Sequence, residues 1–329
     1  PNELMPISVS AVDGSSTKAL LNNGTNNATP GTKAMLDATT FQTEGNRIQI
    51  YDFVTSEGVT SKHIDDQIGP ELDSNSPLHQ EGVTWPFVNE PHQWIPGTHK
   101  FFGWLALDKN MESNNNPEVF FSTGFSFDNT TKVLTIPEKE MTASTPQFDF
   151  MYSNVFSTEP INTPVPLTFK HLFSAFYITG LNRDESSTAT VKSITISGLK
   201  GNKSAVIDFS GDQTAVSYNT TSGESTSFSF DFSTGVALTS TAKNLTDKYM
   251  IWPQTGEDFA NAKLKIEYEV AIDGRTTEEE RDVPLSSIAG WEAGVVNAIN
   301  IVIDVDQITF YIRSLEDWNT EIKDIVVEM

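Results

Sequence analysis

The chain has 329 residues, and 44 acidic against 21 basic side chains leave a formal net charge of -23, which excludes nucleic-acid phosphate and anionic leaflets as first partners. It contains no cysteine, so a disulfide framework, a thiol nucleophile, a cysteine zinc site and an iron–sulfur cluster are excluded too. At 37% hydrophobic and 10% aromatic it can bury cores, and it exceeds the roughly 250 to 300 residues at which one core usually divides, so two domains are expected.

At the start of the chain Met5, Ile7, Val9 and Ala11 alternate with Pro6, Ser8, Ser10 and Val12, a period of two that predicts one half-buried strand with Pro6 tolerated at its beginning. No basic, apolar, small-residue order marks a signal peptide there, and the chain reads as mature. The stretch 13–40, with Asn22-Asn23-Gly24 and Pro30-Gly31, has no periodic pattern and is expected to be a long polar loop. Trp85, Trp94 and Trp104 follow within a short span. Exposed tryptophans can stack on sugar rings, which makes Trp85 and Trp94 candidate glycan contacts; the apolar run Phe101-Phe102-Gly103-Trp104-Leu105 argues instead for a sandwich core.

Pro160, Pro164 and Pro166 punctuate the chain before the apolar segment Leu167 to Leu181, and a domain boundary is expected there, dividing 1–160 from 161–329. Alternation returns at Phe228, Phe230 and Phe232, at Leu264, Ile266, Tyr268, Val270 and Ile272, and at Ile299, Ile301, Ile303 and Val305. These are the marks of half-buried antiparallel strands. Asp273-Gly274 supplies the positive-φ pair of a tight hairpin, so Arg275 to Val283 should fold back. No dozen residues hold a helical stripe, and Pro, Gly, Asn and Ser recur at sandwich spacing, so the fold class is all-β.

Chemistry-bearing motifs are sparse. The five histidines, His63, His79, His92, His99 and His171, stand at no metal-ligand spacing, and His171 is expected to be a strand residue with a hydrogen-bonded ring. Gly201-Asn202-Lys203-Ser204 fails the spacing of a phosphate-binding loop, and no GxSxG elbow occurs. The pairs Asp65-Asp66 and Asp304 with Asp306 could serve glycoside hydrolysis or calcium binding, but they do not stand out from so acidic a background. No catalytic, cofactor-binding or metal-binding residue is therefore assigned, and no cofactor is expected.

Several segments occur in a telling order. Thr17-Lys18-Ala19 precedes the run Phe41 to Tyr51; Trp94-Ile95-Pro96-Gly97 leads to Phe101-Phe102-Gly103-Trp104; Asp149-Phe150-Met151-Tyr152-Ser153 comes next. Val165 to Ala175, Val191 to Leu199, Ile251-Trp252-Pro253-Gln254, the segment Pro284 to Asn300 and Trp318 complete the series. Together they resemble the fimbrillin family of Bacteroidales surface pili, particularly its Mfa-like branch. The resemblance implies two transthyretin-like antiparallel β-sandwich domains in tandem and no enzymatic activity. It also implies export as a lipoprotein to the outer membrane, with the lipid anchor on a precursor Cys upstream of Pro1 as the only membrane contact.

Family stalk subunits are thought to lose their first strand to an Arg- or Lys-directed protease, after which a neighbour's strand fills the groove. On this chain the removable strand would be Met5, Ile7, Val9 and Ala11, and the processing site Arg47, Lys18 or Lys33. Arg47 is preferred by chemistry, but it adjoins Ile48 and Ile50 and is at risk of lying within a strand, whereas Lys18 and Lys33 sit in the polar loop. Ile325, Val327 and Met329 alternate at the other end and could act as a donor strand by β-strand addition, or close their own domain. The expected partners are other pilus subunits, and a host or bacterial surface glycan or protein. The alternative is a surface glycan-binding or adhesive lipoprotein of the same fold.

Overall fold

The computed structural model describes residues 5–13, 41, 45–70, 85–109, 115–145, 147–220, 225–304, 308–315 and 322–327, with side chains described at these positions except 12, 13 and those from 305 onward. Among the described residues nearly all regular structure is strand, apart from helical turns at Phe41 and Pro117–Phe121 and a 3-10 turn at Gly256–Phe259. The fold is all-β.

Two layers close around the first core. One is a seven-stranded sheet in the order Val9–Asp13, Val165–His171, Met151–Ser153, Thr98–Leu107, Arg47–Ser56, Val59–Ile68, with Phe156–Thr158 also on Thr98–Leu107. The other is a four-stranded sheet, Ala215–Thr220, Asn202–Asp208, Val133–Glu140, Ser126–Asp128. Between them Phe102 stacks on Phe209 with centroids 4.4 Å apart, Tyr51 meets Phe127 at 4.5 Å, and Leu134, Ile136, Ala205 and Ile207 fill the layer. Alternation drives this: Tyr51 and Phe53 face the partner sheet, while Ile48, Ile50 and Asp52 point to the opposite face.

A second pair of sheets repeats the arrangement. A six-stranded sheet runs Lys243–Asn244, Ser174–Asn182, Val296–Ile303, Ile308–Leu315, Ile322–Val327, with Tyr249–Ile251 also on Ser174–Asn182. It faces Thr226–Leu238, Ser187–Leu199, Lys263–Ile272 and Arg275–Pro284. Phe176 lies edge-on to Phe228 at 4.9 Å and stacked on Trp291 at 5.3 Å, with Ile194, Ile266 and Ile301 in the same cluster. Asp273 and Gly274 take φ of 49° and 77°, the pair of values that turns Lys263–Ile272 tightly back into Arg275–Pro284.

Two findings depart from the sequence reading. The core does not divide at residue 160: Val165–His171 lies in the seven-stranded sheet, and the chain passes to the six-stranded sheet only after His171. The hairpin Asn202–Asp208 and Ala215–Thr220 then returns to pair with Val133–Glu140. The prolines near 160 mark a loop joining two strands of one sheet, which in composition is indistinguishable from a linker. Second, the sheets are not purely antiparallel. Val9–Asp13 runs parallel to Val165–His171, and Ser174–Asn182 parallel to Val296–Ile303. The second of these pairs is buried on both faces, which is why Ile301 and Val302 are both inside despite being neighbours.

Candidate assembly site

The first strand occupies one edge of the seven-stranded sheet, and its attachments change along its length. Met5 to Ile7 runs antiparallel to His92–Trp94, with Ile7 N–H donating to the His92 carbonyl at 2.8 Å and Trp94 N–H to the Met5 carbonyl at 2.9 Å. From Val9 the strand pairs in parallel with Val165 onward, and Val165 N–H donates to the Ser8 carbonyl at 2.9 Å. Val9 also bridges to Trp85 on its other side. Pro6 is tolerated because it lies in a single bridge to Gln93 and not in a continuous ladder.

The side chains of this strand fill a groove. Ile7, Val9 and Ala11 are 5%, 4% and 1% exposed and belong to the first core, while Met5 packs against it partly buried. Ser8 is exposed and Ser10 half-buried, so the alternation read from the sequence is the alternation observed. The same core holds Trp85, Phe41 and Phe169: the Phe41 ring lies 5.6 Å from Trp85 and 5.2 Å from Phe169. Taking the strand away would uncover these apolar surfaces together with the unpaired backbone of Val165–His171.

Arg47 begins the strand Arg47–Ser56, half-buried, in register with Leu107, and its Nη1 donates to the Asn46 carbonyl at 2.8 Å. Its following residue Ile48 is paired on both sides, with Ile68 and Leu105. A protease binds its substrate extended and unpaired, so this backbone is closed to cleavage while the sheet is intact. Lys18 and Lys33 lie outside the described residues. At the other end, Ile322–Val327 pairs with Ile308–Leu315 of its own chain, Ile325 opposite Ile312 and Val327 opposite Phe310; Met329 lies outside the described residues.

Trp85 and Trp94 are not available to a glycan. They are 4% and 3% exposed, and Trp94 stands edge-on to His99 at 4.6 Å and to Phe101 at 5.6 Å. Both also pair through their backbones with the first strand, Trp94 with Met5 and Trp85 with Val9, and their side chains belong to the first core. The carboxylates of Asp65-Asp66 serve as acceptors, Asp65 for Lys62 and Gln49, Asp66 for His92 and Asn89. Gly201 to Ser204 is no phosphate loop: Lys203 is buried, with Nζ donating to Asp258 at 2.8 Å and to the Pro253 carbonyl at 2.7 Å.

One grouping was not visible in the sequence. Asp52 on Arg47–Ser56, His63 on Val59–Ile68 and His99 on Thr98–Leu107 converge, with Nδ1 of His63 at 2.9 Å and Nδ1 of His99 at 2.6 Å from the same Asp52 Oδ2. His63 is the extra residue of a bulge, since Asp52 pairs with Ile64 and Phe53 with Lys62. Nε2 of His99 donates to the Ile95 carbonyl at 2.9 Å, so both of its nitrogens face acceptors. Burial pulls the pKa of His99 down, but the bonds to Asp52 and Ile95 outweigh it and hold the ring above its ordinary value. The donor atoms of Asp52, His63 and His99 lie within 4.8 Å of one another and are the candidate metal-holding group among the described residues. His171 instead sets Nδ1 at 2.9 Å from Asp149.

A family model described as fimbrillin-like matches residues 32–318. No curated protein matches the sequence. Among solved structures, a fimbrial protein from Bacteroides vulgatus is 16% identical, with 83% of this chain and 93% of that one aligned at a TM-score of 0.54. A proposed cell adhesion protein from Bacteroides uniformis is 13% identical, with 95% of this chain and 98% of that one aligned at 0.51. At such identities the likeness is one of fold.

Proposed function

Because the chain belongs to the fimbrillin-like family of structural, non-enzymatic proteins, we propose that it is a subunit of a bacterial surface pilus, exported as a lipoprotein, serving adhesion and joined to its neighbours by strand exchange. One observation carries this reading: an edge strand, paired from Val9 to Asp13 with Val165 to Phe169 on the sheet side, whose inward side chains Ile7, Val9 and Ala11 fill a core groove. Cleavage beyond it frees the strand, and a neighbour's strand takes over both its hydrogen bonds and its apolar side chains. Refilling the groove with side chains like Ile7 and Val9 recovers about 1.5 to 3 kcal/mol each before ordering costs. The cut falls at Lys18 or Lys33, not at Arg47, whose backbone is tied into the sheet.

The test is incubation of the folded protein with a trace of Arg/Lys-specific protease, followed by N-terminal sequencing and light scattering. A single new N-terminus after Lys18 or Lys33 with growth to multimers is expected. A resistant protein, or one clipped there that stays monomeric, overturns strand exchange. Lipoprotein export is tested separately, by palmitate labelling of the precursor expressed in a Bacteroidales host.

A further inference from the structure

We propose that Asp52, His63 and His99 form a binding site for a divalent transition-metal ion, with zinc as the fitting member. The donors are Nδ1 of His63, Nδ1 of His99 and Oδ2 of Asp52, drawn from three adjacent strands. Two imidazoles and one carboxylate leave a fourth tetrahedral position for water, a ligand set that suits zinc and gives magnesium or calcium too few oxygens.

Three features mark it as more than a chance meeting of side chains. Each buried ligand is fixed by a second bond, His99 through Nε2 to the Ile95 carbonyl at 2.9 Å and Asp52 through Oδ1 to the Lys100 N–H at 3.2 Å. A histidine that ligates through one nitrogen commonly donates its other N–H to a carbonyl in this way. The walls are apolar and rigid: Trp94 stands edge-on to His99, and Phe101 stacks on it at an interplanar angle of 9°. The approach is one-sided, since the His99 and Asp52 side chains are 0% exposed and that of His63 is 17% exposed. An ion enters past His63.

Ligands about 2.0 to 2.2 Å from zinc stand roughly 3.4 Å from each other in a tetrahedron. The present contacts of 2.9 Å and 2.6 Å to Asp52 Oδ2 must therefore open by about 0.5 and 0.8 Å, the first by rotation of the His63 ring at its bulge and the second by a shift of the Asp52 carboxylate away from His99. Coordination needs both Nδ1 atoms free of hydrogen: a neutral ring carries its one hydrogen on Nε2, and a ring protonated on both nitrogens releases its Nδ1 hydrogen to solvent. The ion would cross-link three strands directly below Ile95, next to the segment His92–Trp94 that clasps Met5 to Ile7.

The full chain, stripped with EDTA and dialysed, is titrated with zinc chloride by calorimetry and with cobalt chloride by visible absorption, at neutral pH. One zinc per chain, a raised thermal midpoint and the intense visible bands of tetrahedral cobalt are expected. His63→Ala, at the rim of the site, should keep the metal-free midpoint and weaken zinc binding by more than about tenfold. His92→Ala removes the neighbouring His–Asp pair and should leave binding unchanged. No stoichiometric binding, cobalt bands of octahedral character, or equal binding by His63→Ala overturns the proposal. If His63→Ala fails to fold, His63→Gln is compared with it, and undiminished binding by that variant refutes the site equally.

Discussion

Truncating Ile7 and Val9 to alanine tests whether the first strand is held by its side chains. Ile7 is 5% and Val9 4% exposed, and both sit among large side chains of the first core. Ile→Ala in a core costs about 2 to 5 kcal/mol, and the two methyl groups lost in Val→Ala cost about 0.8 kcal/mol each plus a cavity contribution. An edge groove can partly collapse, so the low end applies and the pair loses about 4 kcal/mol. This loss falls on local opening of the strand, not on the whole fold. The readout is hydrogen exchange at the amides of Ile7, Trp94 and Val165, which bond across the strand to His92, Met5 and Ser8. At 1.4 kcal/mol per decade they should exchange about a thousandfold faster, while the amide of Ile266 in the second core keeps its rate. Ser8→Ala, which removes an exposed hydroxyl, should change these rates little, within about 0.5 kcal/mol. Uptake of a synthetic peptide spanning Met5 to Asp13 should rise in the double variant. Unchanged protection at Val165, or an equal effect from Ser8→Ala, would refute the view that alternate burial retains the strand.

Three further outcomes are expected. Asp258→Asn strands the buried Lys203 ammonium and should cost about 3 kcal/mol in urea unfolding at pH 7. Burial raises the Asp258 pKa but the Lys203 and Thr255 bonds outweigh it, so its carboxyl sits below its ordinary 3.8; its stabilisation is present above that pH and lost as pH falls through the folded value, so the penalty should shrink in acid. Gly103→Ala would set a Cβ 2.2 Å from the Gln49 carbonyl oxygen across the strand pair, whereas Gly58, at φ 79°, has open space; thermal melts should show a loss of about 2 to 3 kcal/mol for the first and about 1 kcal/mol for the second. Trp94→Ala should lower stability by about 3 to 5 kcal/mol, and a glycan array probed with the wild-type protein should show no contact that this tryptophan mediates.

Period-two alternation was the readable part of this chain. It located the first strand, the Lys263 to Pro284 hairpin and the inward ring series of Phe228 and Phe230, because burial on one face imposes its period directly on the residues. Partnership was not readable. Nothing in Val9 to Asp13 says that its neighbour lies at Val165, or that this neighbour runs parallel, since both directions ask for the same alternation. The return of Asn202–Asp208 to Val133–Glu140 was hidden for the same reason, and with it the course of the division between the two cores. The cluster of Asp52, His63 and His99 shows the limit most plainly: its members come from three strands, and one reaches the others only through a bulge, so no linear spacing could reveal it.

Two other sheet edges show what would oppose strand exchange away from the first strand. Arg275–Pro284 is the outer strand of its sheet and exposes Glu278, Glu280, Arg281 and Asp282, so a second chain pairing there would bring its own acidic side chains against these. Val59–Ile68 is the outer strand at the far side of the seven-stranded sheet; its end is covered by Phe87 and Val88, and its exposed stretch carries Lys62 and Asp65. Copies bearing a net charge of -23 also repel one another, and at physiological salt the repulsion acts chiefly within about 8 Å, where edges would have to meet. Val165–His171 differs from these edges. It is blocked by Val9–Asp13, whose Val9 and Ala11 side chains are buried in the first core and gain apolar burial that a charged edge does not offer. Under the proposed strand exchange, a second chain would gain at Val165–His171 the apolar burial now supplied by Val9 and Ala11, a gain that can offset the repulsion between like-charged copies.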